Sequence, residues 1–225
     1  MVSSRSFLAV DLAFLGANVL KIQYGGWVPL VIAGGIFVVM TTWNRGSRLA
    51  TGALASAAMP LDRFLAEIER QRPPRVDGTG VFLTADARGA PLALVHHLRL
   101  DKALHEEIIL LSILTEEIPE VADDKRVEAE HLPAGFHRVR AAFGFMERPH
   151  VEEVLARCRE LGMQAAPENT TYYLSRAQFL PTGSGPMTRW RKQLFAAMAR
   201  NAGSVADFFA LPPDRVVELG ARIEL

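Results

Sequence analysis

The chain has 225 residues, with 25 Lys and Arg balanced by 25 Asp and Glu, 49% hydrophobic and 22% charged residues. Those averages describe an ordinary globular protein, and zero net charge gives no argument for nucleic-acid binding. A single cysteine, Cys158, excludes intramolecular disulfides and multi-cysteine zinc sites.

The averages conceal an uneven distribution. Residues 1–43 carry only Arg5, Asp11 and Lys21 as charges, and the remainder is ordinarily polar. The first apolar run, Phe7 to Ile22, is a few residues short of the ~20 needed to span a bilayer comfortably. It lacks the basic start and small-residue cleavage site of a signal peptide. It is expected to be a shortened transmembrane helix, as if the chain began part-way into a span. Asp11 and Asn18 are seven residues apart, so they share one helical stripe, and both should face protein or water rather than lipid. An ion-pathway carboxylate and a helix-packing hydrogen bond both remain open for that stripe.

The second run is uncharged from Gly25 to Asn44. Trp27 and Trp43 bracket it as ring anchors at the two headgroup levels, and Arg45 and Arg48 follow as a cytoplasmic basic flank. Gln23-Tyr24-Gly25-Gly26 is then an outward-facing turn between two antiparallel spans, and Gly34-Gly35 offers close approach to another helix. The chain is expected to be anchored in the lipid bilayer as a membrane α-helical hairpin over residues 1–46.

Residues 47–74 are expected to connect this hairpin to a soluble part. Pro60 opens an amphipathic helix with Leu61, Phe64, Leu65 and Ile68 on one face, and Pro73-Pro74 closes it. Residues 75–225 then form a mixed α/β domain, cytosolic if Arg45 and Arg48 are. Val81 to Thr84 and Leu92 to Val95 are strand-like. Ile108 to Leu114 has the apolar content of a doubly covered central strand. Segments 126–132 and 136–145 form a hairpin around Pro133-Ala134-Gly135, with Val139, Ala141, Phe143 and Phe145 on its inner face. Val151, Val154, Leu155, Cys158 and Leu161 mark a helix, and Cys158 on its apolar stripe should be a buried, inert thiol. Thr171 to Leu174 is a further strand, Arg189 to Asn201 a helix, and Val216 to Leu225 an alternating terminal strand.

Chemistry is sparse. His96, His97, His105 and Glu106 lack a metal-ligand spacing and read as structural or surface groups. Glu116-Glu117 and Asp123-Asp124 read as solvated loop charges. The glycines of Gly183-Ser184-Gly185 have no lysine at the Walker position, and no dinucleotide or nucleophile-elbow motif is present. No catalytic residue, metal site or cofactor is expected, and no enzyme. The helix 189–201 carries Arg189, Arg191, Lys192 and Arg200 beside Trp190, Leu194, Phe195 and Met198. It can pack on the sheet, or rest against the membrane surface or a transporter's inner face.

The order of motifs resembles the C-terminal part of the KUP (HAK/KUP/KT) potassium transporters. The resemblance runs through Asp11-Leu12-Ala13-Phe14, Ala17-Asn18, Gly25-Gly26-Trp27-Val28-Pro29-Leu30 and Met40-Thr41-Thr42-Trp43. It continues in Leu104-His105-Glu106, Gly144-Phe145-Met146-Glu147, Tyr173-Leu174-Ser175-Arg176, Trp190-Arg191 and Val217-Glu218-Leu219-Gly220. His97, Leu100 and Asp101 depart from the family pattern. The resemblance implies potassium uptake with proton entry, K+ and H+ being the transported ions. It also implies a LeuT-like core ending in these two spans, and a multi-pass protein of the bacterial inner membrane with a cytoplasmic C-terminal domain. The family's ion-binding residues belong to earlier spans, so the expected partners include those spans, and the chain alone should not transport. Control of some bacterial relatives by a cyclic dinucleotide admits such a ligand for the soluble domain. A membrane-tethered regulatory module without transport is the alternative, and formation of a homodimer stays open.

Overall fold

A computed structural model describes residues 2–20, 25–57, 59–85, 89–180, 182 and 185–224. Two long helices come first, α1 (Val2–Leu20) and α2 (Trp27–Ala57). Gly25 turns the chain into α2 with a φ of 112°, a conformation that glycine adopts without a Cβ penalty. Pro29 sits in the first turn, where a missing N–H leaves no helical bond unmade. The remainder of the turn, Lys21 to Tyr24, lies outside the described residues, as do Gly183-Ser184 and Leu225.

α2 does not stop at its basic flank. It continues through Arg45 and Arg48 to Ala57, 31 residues in all, because residues 49–57 are mostly alanine and other small residues, with no proline to break the ladder. The two-residue strand β1 (Met59–Pro60) and α3 (Leu61–Gln71) follow. Arg72 ends α3 in the left-handed region at φ 46° and donates its N–H to the Ile68 carbonyl, before Pro73-Pro74.

The sheet contains β2 (Arg75–Leu83), β4 (Leu104–Glu116), β5 (Val127–Leu132), β6 (Phe136–Gly144), β7 (Thr170–Leu180) and β8 (Val216–Glu224), in the order β5-β6-β4-β2-β7-β8. All neighbours are parallel except β5, which pairs antiparallel with β6. The short β3 (Gly89–Ala90) pairs with β1. The connecting helices are α4 (Leu92–Asp101), α5 (Val151–Glu160), α6 (Arg189–Arg200) and the single turn α7 (Val205–Phe208). The order reverses between β2 and β7, so this is an open, doubly wound sheet with a switch point there.

Two cores cover the sheet. Val81, Ile109, Leu111, Val139, Ala141 and Phe143 pack with Val151, Val154, Leu155 and Cys158 of α5 on one face. Phe82, Ile108, Leu110, Phe136 and Tyr173 pack with α3 and α4 on the other. Consecutive residues of β4 alternate between them, so Ile108 to Leu111 are all fully buried, as the apolar run of a doubly covered parallel strand requires.

Two local expectations are corrected. Leu92 to Val95 begin α4 rather than a strand: Pro91 precedes the first turn and Lys102 closes the helix at φ 54°. A short apolar run fits either period, and here packing of Ala93 and Leu94 onto the sheet decides. Phe145 is not on the inner face. β6 ends at Gly144, whose backbone presses on the Pro119 carbonyl so closely that no Cβ fits. Phe145 and Met146 therefore project outward, 60% and 72% exposed.

Candidate functional site

The apolar stretch of α2 begins at Trp27 and ends at Trp43, about 24 Å apart along a helix rising ~1.5 Å per residue. Both rings are exposed, as are Val31, Ile32, Ile36, Phe37 and Met40 between them. Residues 27–54 form a helix long and apolar enough to cross a membrane. On α1, Asp11 is exposed among equally exposed Val10, Leu12 and Phe14. Asn18 is helical, but its side chain is outside the described residues. Arg45 and Arg48 lie on the exposed side of α2 where it leaves the apolar stretch.

Sequence reasoning missed what meets α2 at that exit. α6 packs across residues 41–50 of α2 through Phe195, which lies with Ala50 and Met187 in a small third core. The Phe195 ring stands 5.5 Å from Trp43 and 5.1 Å from Phe179 at the carboxyl end of β7. Gly46 makes the contact: a Cβ there would clash with the edge of the Phe195 ring. Arg45 Nη2 donates to the Pro186 carbonyl at 2.9 Å, and Arg191 Nη2 lies 3.4 Å from Thr41 Oγ1. Of the apolar residues of α6, Phe195 is covered by the long helix as well as the sheet, Leu194 and Met198 are half-buried, and Trp190 remains exposed. A lone glycine inside the basic flank was the available signal.

The polar groups of the sheet domain are mostly engaged internally. His97 donates through Nδ1 to Asp101 at 2.7 Å, and its ring stacks 5.9 Å from that of His105. His105 Nε2 meets the Tyr173 hydroxyl at 2.9 Å. Burial pushes both imidazole pKa values below the ordinary 6.5, because the charged form loses its water. Burial likewise raises the Cys158 thiol to about 11, leaving it protonated and unreactive. Glu147 accepts from Arg126 at 2.7 Å and from the Gly144 and Val121 N–H groups at 2.6 and 3.1 Å, and these bonds lower its pKa to about 2. Glu116, Glu117, Asp123 and Asp124 are exposed.

No group of three or more His, Cys, Asp or Glu is placed to hold a metal among the described residues. His96, His97, His105 and Glu106 accordingly form no ligand set there. At the switch point, the Ala93 N–H at the start of α4 is taken by Ser175 Oγ at 3.2 Å.

A long apolar helix leading through a basic, tryptophan-bearing junction into a doubly wound sheet defines a membrane protein with an appended α/β domain. The chain belongs to the K+ potassium transporter family: residues 77–225 match the K+ potassium transporter C-terminal domain, and residues 1–48 match the K+ potassium transporter integral membrane domain. It is 48% identical over 219 residues to the probable potassium transport system protein Kup of Myxococcus xanthus, covering 97% of this chain and 34% of that protein. It is 46% identical over 220 residues to the probable potassium transport system protein Kup 1 of Geobacter sulfurreducens, covering 97% and 35%. To the Kup protein of an Anaeromyxobacter species it is 47% identical over 224 residues, covering 97% and 34%. The chain therefore spans about a third of the length of these curated relatives. No solved structure matches it significantly.

Proposed function

We propose that this chain serves potassium uptake across the bacterial cytoplasmic membrane, by K+/H+ symport, as the C-terminal part of a Kup-type transporter. The observation that carries the reading is identity of 48% with a probable potassium transport system protein across 97% of the chain, through the two N-terminal helices and the sheet alike.

The two helices act as closing spans of a larger LeuT-like bundle. The described side chains of α1 and nearly all of those of α2 from Trp27 to Met40 are exposed, so lipid and neighbouring spans are the natural cover. A carboxylate turned to hydrocarbon costs at least ~2.5 kcal/mol, which favours Asp11 facing further spans or a water-filled path. Gly34 and Gly35 have open space where a Cβ would lie, which leaves room for close helix approach. The positive flank of α2 supports a cytoplasmic sheet domain. These 225 residues span about a third of the relatives' length, and by themselves they are not expected to transport.

A chimaera tests this: the preceding two thirds of the Myxococcus relative joined to this chain, expressed in bacteria lacking potassium uptake systems. The expected result is restored growth on limiting potassium, with potassium-dependent proton entry seen as external alkalinisation. The chain by itself should restore nothing. Failure of the chimaera, when the unaltered relative restores growth, would overturn the reading. Uptake that persists without proton movement would remove symport alone.

A further inference from the structure

We propose that the first turn of α6 lies in the headgroup layer of the membrane that α2 crosses, where Arg189, Trp190 and Arg191 engage anionic lipid headgroups. The inference rests on the reading of α2 as a membrane span and adds a lipid-contacting surface to it.

α2 serves as the ruler. Its apolar stretch ends at Trp43, followed at once by Asn44 and Arg45. The start of α6 is tied to α2 on both sides of that point. Arg191 reaches Thr41 Oγ1, and Arg45 reaches the Pro186 carbonyl three residues before α6 begins. At ~1.5 Å per residue, Thr41 and Arg45 stand about 3 Å to either side of Trp43 along α2, so the Arg191 guanidinium, bonded to Thr41 Oγ1, lies near the depth of that ring. A guanidinium is stable at that depth among phosphates and water, and not in hydrocarbon.

The faces of α6 are consistent with that depth. Phe195, Ala196 and the Lys192 side chain are buried against protein. Arg189, Trp190 and Gln193 remain outside, with Trp190 52% exposed. The Arg191 guanidinium lies 5.3 Å above the Trp190 ring, pairing a cation with an indole, the two side-chain types enriched where bilayers meet water.

The two stretches that make the α2–α6 contact carry side-chain charge of one sign. No Asp or Glu occurs between Asp11 and Asp62, or between Glu168 and Asp207, and these two stretches supply both sides of the contact. Arg45, Arg48, Arg189 and Arg191 thus form a basic collar around the exit of α2, complementary to an anionic leaflet.

The test uses the whole chain, Cys158→Ser, reconstituted into vesicles with single spin-labelled cysteines at Ile36, Gln193 or Glu153. Collisions with oxygen, which partitions into lipid, are compared with those of a water-soluble nickel chelate. Ile36 should read as lipid, Glu153 on α5 as water, and Gln193 as a shallow position between them. An Ile36 label that reads as water overturns the span itself. With Ile36 in lipid, a Gln193 label as water-exposed as Glu153, or shielded from both probes by protein, overturns the headgroup position alone.

Anionic lipid is then varied between pure phosphatidylcholine and a mixture with phosphatidylglycerol. The oxygen-to-chelate ratio at Gln193 should rise with the anionic lipid, by about fivefold in the docking equilibrium for each cation engaged. Arg189→Gln/Arg191→Gln should abolish the rise while Ile36 still reads as lipid. If that pair disturbs folding, Arg189→Gln alone should reduce the rise. An equal rise in a folded variant overturns the lipid contact.

Discussion

His97 and His105 sit in the core between α4 and the sheet, and their charge state bears on stability. Burial lowers both pKa values below 6.5, so the unfolded chain takes up protons first as pH falls. Their contribution to stability is complete above the unfolded pKa and is lost as pH falls through the lower folded values. Asp101 at 2.7 Å from His97, and the Tyr173 hydroxyl and the Asp77 backbone beside His105, are polar groups facing them. The thermal midpoint of the chain in detergent should drop between pH 7.5 and 5.5. In His97→Gln/His105→Gln that slope should shrink toward the part belonging to His137, which burial also holds below 6.5. An unchanged slope would assign it elsewhere. Glu147 acts lower on the scale. With its pKa moved from 4.5 to about 2, chiefly by the Arg126 hydrogen bond, its stabilisation is full above pH 4.5 and fades toward pH 2. Glu147→Gln should lower the midpoint at pH 7 and flatten its decline over that acid range. Neither cluster was legible in the sequence. His97 and Tyr173 are 76 positions apart and meet only because β2 lies between β4 and β7, and Glu147 acts on N–H groups that exist as partners only once the loop has closed.

Among the elements, α6 against α2 is the contact on which the junction depends. Gly46→Val would drive a branched side chain into the Phe195 ring. It should separate α6 from α2, measured as a lower thermal midpoint and faster proteolysis of α6 than in the Gly46 parent. Phe195→Ala is the complementary change: it removes the ring without a clash and should cost ~3–5 kcal/mol, as large aromatic truncations in cores do. A variant as stable as the parent would show that the contact is not packed in solution. Elements with one clear period were readable: the α3 face of Leu61, Phe64, Leu65 and Ile68, the β5–β6 hairpin around Pro133, and the α5 stripe of Val151, Val154, Leu155 and Cys158 occur as the residues imply, whereas Leu161, expected on that stripe, follows the last turn of α5 and is 49% exposed. α4 was not, because four apolar residues carry no period. Its helix signals, Pro91 before and Lys102 after, lie outside the run itself.

At the scale of the molecule, the sheet domain draws part of its core from the segment that links it to the membrane. Leu61, Phe64, Leu65 and Ile68 of α3 are all buried on the sheet, and burying each is worth ~1.5–3 kcal/mol. Together that is about 6–12 kcal/mol, comparable with the ~5–15 kcal/mol net stability of a whole domain. A fragment beginning at residue 59 should therefore unfold cooperatively, whereas one beginning at residue 75 should aggregate or melt without a transition. Equal midpoints for the two would show that α3 is dispensable. The division into an apolar start and a sheet domain was visible in the charge distribution. The way they join was not, because the joining surface comes from two segments about 140 positions apart.

The uninterrupted length of α2 has a mechanical consequence. A helix of 31 residues is about 46 Å long, and none of its residues beyond the first turn is proline. From the middle of its apolar stretch to Ala57 is about 33 Å, so a 10° tilt at mid-bilayer would swing the far end by about 6 Å. α6, fastened to the same shaft and continuous with β7 and β8, would be carried with it. A rearrangement among the spans would thus arrive at the sheet as a displacement larger than the one that produced it, with the helix working as a lever arm.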